Sequence, residues 1–372
     1  MFCKGKMRTD LIKGLNIGGK VSRVPIIQGG MGVCISLSGL AAAVANEGGV
    51  GVIATPGIAM HEADLGSDFT NSNNRILRKE IQKAKQLTKG VIGVNIMMAL
   101  SNFGELARVS IEEGVDVIFS GAGLPLDLPG YLKGSTQTKL VPIVSSERAA
   151  RIILKRWKER FNYIPDAFVV EGPRAGGHVG FRVEDITDPE YALEKLTVNV
   201  LAEVKKFEEL YKVKIPVIAG GGVFTGADIY KFLKLGAAGV QMASRFVTTY
   251  ECDASEEFKQ MYINSKEEDI MIIKSPVGMP GRVIRNEFIN EVNRGEKQPF
   301  KCPYKCIVTC DVVNAPYCIA ESLTNAANGN LSKGFAFAGA NAYRCKKMYH
   351  VKDLIAELMS EANEAARLDQ GK

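Results

Sequence analysis

Eight short apolar runs recur along the chain, and none alternates apolar with polar residues. They lie at 25–28 (PIIQ), 50–54 (VGVIA), 91–95 (VIGVN), 115–120 (VDVIFS), 140–145 (LVPIVS), 167–171 (AFVVE), 215–219 (IPVIA) and 239–243 (GVQMA). Strands that are apolar throughout are what a parallel sheet covered on both faces requires. The segments between them carry helical signatures. The stretch 38–47 stops at a Gly pair, and 105–113 stops at Gly114. The stretch 146–159 opens on Ser146 and Glu147, and 225–235 opens on Thr225 and stops at Gly236. These are the residues that cap and end helices. A helix end, small residues and a strand follow one another at 46–54, 112–120 and 234–244. Strands alternating with helices form either a closed barrel or an open doubly wound sheet. The count of eight favours an α/β fold of the (β/α)8 TIM-barrel type over residues 1–245. Long connections at 55–90 and 172–214 then follow strands two and six, on the face where such barrels carry their sites. Residues 246–372 are too many for one closing helix. They predict a C-terminal helical extension packed on the barrel and ending in an amphipathic helix at 351–367.

The rest of the composition excludes more than it suggests. The 372 residues are 46% hydrophobic and 24% charged, an ordinary globular balance. Lys and Arg number 47 against 41 Asp and Glu, a net charge of +6 with no dense basic run, so no nucleic-acid partner is expected. No stretch has the apolar length to cross a bilayer, so no membrane partner is expected. The first fourteen residues have no apolar run behind their charges, which predicts no signal peptide and a cytoplasmic protein. The eight cysteines, Cys3 among them, are then expected to stay reduced. Cys302, Cys306 and Cys310 recur every fourth residue from Pro303's neighbourhood, the spacing of one helical stripe, and Cys318 follows. A straight helix would set the outer two of that stripe about 12 Å apart. Buried thiols rather than a metal site are expected. A small-molecule substrate is the expected partner, with a homodimer as a candidate assembly.

Four loops at strand ends carry the chemistry. AGGG at 219–222 follows strand seven and precedes a helix start near Thr225. Glycines there let a backbone approach a phosphate, and helix N-termini favour one. QMAS at 241–244 ends strand eight, and the loops after strands seven and eight are where barrels commonly hold phosphate. A tight turn alone would also suit these glycines. EGPRAGGHVG at 171–180 places Glu171 at a strand end, Gly176 and Gly177 in a loop able to wrap a flat ring, and His178 among them. An imidazole exchanges a proton near neutral pH, so His178 is the candidate catalytic residue. PIIQGGMG at 25–32 offers Gly30 and Met31, and Asn95 ends strand three with a side chain that both donates and accepts.

Taken in this order, AGGH at 175–178, the three glycines at 220–222 and GVQMASRF at 239–246 resemble the nitronate monooxygenase (2-nitropropane dioxygenase-like) family and the related flavin-dependent enoyl-acyl-carrier-protein reductases. The resemblance runs over about 20–290 and implies an FMN-binding TIM barrel. By that resemblance FMN contacts fall on Gly30, Met31, Asn95, Glu171, Gly176, Gly221, Gly222, Gln241, Met242, Ala243 and Ser244. The phosphate would lie between Gly221–Gly222 and Ala243–Ser244, with His178 as the active-site histidine. Glu171 departs from the pattern, since many nitronate monooxygenases have Gln there. Cys34 departs too, and the tail from about 295 has no counterpart in the best-studied members. The implied activity is oxidation of a nitronate with oxygen to a carbonyl compound and nitrite. Two readings stay open beside it: an NAD(P)H-dependent reductase of an enoyl thioester or quinone, and a non-catalytic barrel that binds a phosphorylated ligand.

Overall fold

The computed structural model describes residues 11–296, 300–302 and 304–371. Cys3 and Pro303 lie outside the described residues. An N-terminal hairpin of β1 (Leu15–Ile17) and β2 (Lys20–Ser22) precedes eight parallel strands in a closed barrel. These are β3 (Ile26–Gln28), β4 (Val50–Ala54), β5 (Val91–Met97), β6 (Val117–Gly121), β7 (Lys139–Val144), β8 (Phe168–Glu171), β10 (Val217–Gly220) and β11 (Gly239–Met242). The two-residue strand β9 (Gly177–His178) lies outside the ring. Each of the eight apolar runs becomes one barrel strand, with ends moved by at most two residues.

The unbroken apolar character of the strands has a simple cause. Successive side chains point to opposite faces. Ile27, Val52, Val117, Phe119, Val141, Val169 and Ile218 fill the inside of the barrel, with Leu15 and Ile17 of the hairpin packed against them. Ile26, Ile53, Val94, Ile118 and Val170 belong to the larger core under the helices. Gly93 makes room for the Phe119 ring, which a Cβ there would meet at 2.7 Å.

The outer layer is α1 (Ser38–Asn46), α2 (Phe69–Leu87), α3 (Phe103–Glu112), α4 (Glu147–Phe161), α5 (Leu193–Tyr211) and α6 (Gly226–Lys234). After β6 the helix is reduced to one 3-10 turn, Leu128–Tyr131. The chain then runs through α7 (Ser244–Val247), α8 (Glu256–Asn264), the hairpin β12 (Ile270–Lys274) and β13 (Pro280–Ile284), α9 (Glu287–Asn293), α10 (Ile319–Ala327) and α11 (Val351–Gln370).

Three features of the tail differ from the sequence expectation. First, α11 lies against both α6 and α1, the place of the eighth barrel helix. Gly226 donates its amide to Glu361 at 2.6 Å, Tyr230 donates to Asp369 at 2.9 Å, and a Cβ on Gly226 would meet the Leu358 carbonyl at 2.1 Å. Ring and tail therefore do not separate at residue 245. Second, the tail is not purely helical, because β12, β13 and β9 form an antiparallel sheet. Third, Cys302, Cys306 and Cys310 are not on a helix. Their segment satisfies its backbone against the loop after β5: Ser101 donates to the Cys306 carbonyl (3.1 Å) and Val308 to that of Ala99 (2.9 Å). Lys305 has a φ of +47°, which no right-handed helix allows. No helix among the described residues is long and apolar enough to cross a membrane.

Candidate active site

A cavity of about 550 Å³ opens at the carboxyl ends of the barrel strands. His178, Gly30, Met31, Asn95, Glu171 and Gly176 line one part of it. Gly221, Gly222, Gln241, Met242, Ala243 and Ser244 line another. All twelve residues singled out in the sequence thus face one space, because they lie at or just beyond the carboxyl ends of the barrel strands.

The glycines are placed by geometry. Gly221 and Gly222 have φ of +96° and +103°, the left-handed side that favours Gly. A Cβ on Gly221 would meet the Gly172 carbonyl at 2.8 Å, and one on Gly222 the Arg174 Cβ at 3.0 Å. The amides of Gly221, Gly222 and Val223 have no acceptor among the described residues. The next helix is fixed by a capping box, with Thr225 accepting from the Asp228 amide. Free amides, close backbone approach and a helix start fit the phosphate of a nucleotide-type cofactor. Across the gap, Ser244 Oγ accepts from the Gly339 amide at 3.3 Å. Gly30 is held by packing: a Cβ there would meet the Asn95 Cβ at 2.5 Å. The carboxamides of Asn95 and Gln241 have no hydrogen-bond partner among the described residues, which leaves them free for a ring edge.

The two titratable groups are both shifted by burial. His178 sits on β9, paired with Gly281 of β13. Its Nε2 shares a 2.8 Å hydrogen bond with Ser275 Oγ, and its ring meets Phe337 edge-on at 4.9 Å. Desolvation lowers its pKa from 6.5 to about 4, so the imidazole is neutral at pH 7. Glu171 has no hydrogen-bond partner among the described residues, and desolvation raises its pKa from 4.5 to about 7. Its carboxyl therefore holds a proton further up the pH scale than a surface Glu does.

Sequence reasoning missed the tail's share of the site. Asn341 Nδ2 donates to the Gly222 carbonyl at 2.6 Å, and Arg174 Nη2 donates to Asn341 Oδ1 at 2.9 Å. Gly176 lies so close to the 338–339 backbone that a Cβ would stand 2.7 Å from it. Buried Arg282 donates to the Ala175 carbonyl from behind the same loop. The one available signal was AGAN at 338–341, small residues like those of the barrel loops. Ser275, which positions His178, has no local signal at all.

A dehydrogenase of Mycobacterium tuberculosis (strain ATCC 25618 / H37Rv), named for (3aS,4S,5R,7aS)-5-hydroxy-7a-methyl-1-oxo-octahydro-1H-indene-4-carboxyl-CoA, is 29% identical over 273 residues. That match covers 73% of this chain and 66% of the relative, just under two thirds of the relative's length. A probable nitronate monooxygenase of Staphylococcus aureus (strain MSSA476) is 28% identical, covering 73% of this chain and 78% of that one. The solved structure of FabK from Thermotoga maritima superposes with a TM-score of 0.70 at 29% identity, over 93% of this chain and 95% of that one. Nitroalkane oxidase from Streptomyces ansochromogenes, at 21% identity and a TM-score of 0.71, shares the fold. The profile of the nitronate monooxygenase family matches residues 17–361, so this chain belongs to that family.

Proposed function

We propose that the chain binds FMN and oxidises alkyl nitronates with oxygen to carbonyl compounds and nitrite. The observation that carries this reading is one cavity holding both a backbone cradle at Gly221–Val223 and a neutral imidazole at His178. Gly221–Gly222 and Ala243–Ser244 would hold the phosphate, while Gly30, Met31, Asn95, Glu171, Gly176, Gln241 and Met242 would surround the rest. Bound FMN supplies the redox chemistry, which no protein side chain here provides. His178, kept neutral and oriented by Ser275, accepts the α-proton of a neutral nitroalkane or holds the charged nitro group of a nitronate. The buried walls exclude water from that group, and Glu171 sets the charge around it.

A second reading is hydride transfer from NAD(P)H to an enoyl thioester or quinone. It is favoured by the apolar arm of the cavity, lined by Met60, Leu65, Phe69, Leu100, Ile307 and Leu323. That arm offers a long apolar chain more contact than a small nitronate can use, and FabK is among the structural neighbours. Anaerobic stopped-flow mixing separates the two. Bleaching of the flavin band by propionate 3-nitronate, with no response to NADH or NADPH, is the expected result. Rapid bleaching by NAD(P)H alone overturns it in favour of the second reading. A colourless protein that added FMN cannot restore removes both.

A further inference from the structure

The four cysteines of the tail are not absorbed by the flavin site. Their spacing leaves three residues between Cys302 and Cys306, three between Cys306 and Cys310, and seven between Cys310 and Cys318. A helix would have spread them along one face, but this segment is a loop folded by turns. Lys305 donates its amide to Cys302 Sγ at 3.4 Å, which brings the Cys302 sulfur against the backbone next to Cys306. Cys310 donates its amide to the Ile307 carbonyl at 3.2 Å, a second turn that returns Cys310 toward Cys306. Cys318 is the N-cap residue of α10, without a side-chain capping hydrogen bond. Cys306 and the first two residues of α10, Ile319 and Ala320, line the same wall of the cavity. Cys318, Cys302 and Cys310 all lie near enough to Cys306 to act on it electrostatically, beside the larger effect of its burial. All four thiols are free.

Packed thiols alone do not account for this. Cys302, Cys306 and Cys310 are only half-buried, so they add little to a core. An amide aimed at sulfur, as that of Lys305 is at Cys302, is the second-sphere contact that thiolate ligands receive.

We propose that Cys302, Cys306, Cys310 and Cys318 together ligate one metal centre, an iron–sulfur cluster or a zinc ion, beside the flavin cavity. Tetrathiolate sites of both kinds use four cysteines from a short stretch of chain. No three Cys, His, Asp or Glu side chains among the described residues yet surround a single point, so the thiols close on the metal as it binds. The proposal does not rest on the flavin reading, because its evidence lies in the tail.

The test is elemental analysis of full-length protein purified without oxygen from iron- and zinc-supplemented cells, with acid-labile sulfide and flavin measured on the same sample. Near-stoichiometric zinc without sulfide, or about four iron and four sulfide per chain, supports the site and says which metal it takes. The double variant Cys306→Ser/Cys310→Ser is expected to lose the metal at least about tenfold while its flavin content is read separately. Wild-type protein with less than about one tenth of a metal per chain overturns the proposal. So does a metal content unchanged in the double variant, or wild-type Cys302, Cys306, Cys310 and Cys318 all alkylated by iodoacetamide in the native state.

Discussion

His178 and Glu171 show how burial, rather than a charged neighbour, tunes this cavity. Both shifts favour the uncharged form, as desolvation must. Their effects on stability oppose one another. The folded chain holds the Glu171 proton that the unfolded chain has lost between pH 4.5 and about 7, so that contribution is lost as pH rises through the window. His178 contributes above pH 6.5 and loses its contribution as pH falls toward about 4. Two outcomes are expected. In a kcat/KM profile of the wild type, a step near pH 7 belongs to Glu171 and disappears in Glu171→Gln. A step that persists in that variant removes Glu171 from the assignment. His178→Ala retains bound flavin and lowers kcat by about 10²–10⁴, the usual range for loss of a proton-transferring side chain. Turnover within twofold of wild type in flavin-loaded His178→Ala leaves the histidine no chemical role. His178 was legible because a rare residue stood in a glycine loop at a strand end. Ser275 was not, because only the pairing of β9 with β13 brings it there.

At the scale of the element, the loops after β10 and β11 are the most demanding parts of the structure. Gly222 has a positive φ, lies against Arg174 and gives its carbonyl to Asn341. Gly222→Asp adds bulk, backbone strain and negative charge at that point. Expected is a folded protein by circular dichroism with flavin content reduced at least about tenfold. Full flavin in that variant moves the phosphate elsewhere. The barrel strands could be read from sequence because a strand buried on both faces has no polar side to confuse the pattern. β9 could not, since two residues in a glycine loop carry no periodicity. The cysteine segment was misread for the opposite reason. Its four-residue spacing imitates a helix, but its backbone partners are residues 99–101, far away in the chain.

At the scale of the whole molecule, the ring of strands was legible and its closure was not. Nothing local in 351–370 says that this helix belongs after strand eight, more than a hundred residues earlier. The contact is nonetheless close, with Gly226 against the α11 backbone. Gly226→Ala forces the two helices apart and is expected to lower unfolding free energy by about 1–3 kcal/mol, measured by urea denaturation. A midpoint unchanged from wild type means that α11 adapts freely to α6.

The late arrival of α11 also bears on synthesis. A ribosome delivers all eight strands by residue 242 yet withholds the helix that seals them until α11, Val351–Gln370, has emerged. Until then α1 and α6 expose the apolar seam that α11 covers, and the nascent barrel is open to chaperones and proteases along that seam.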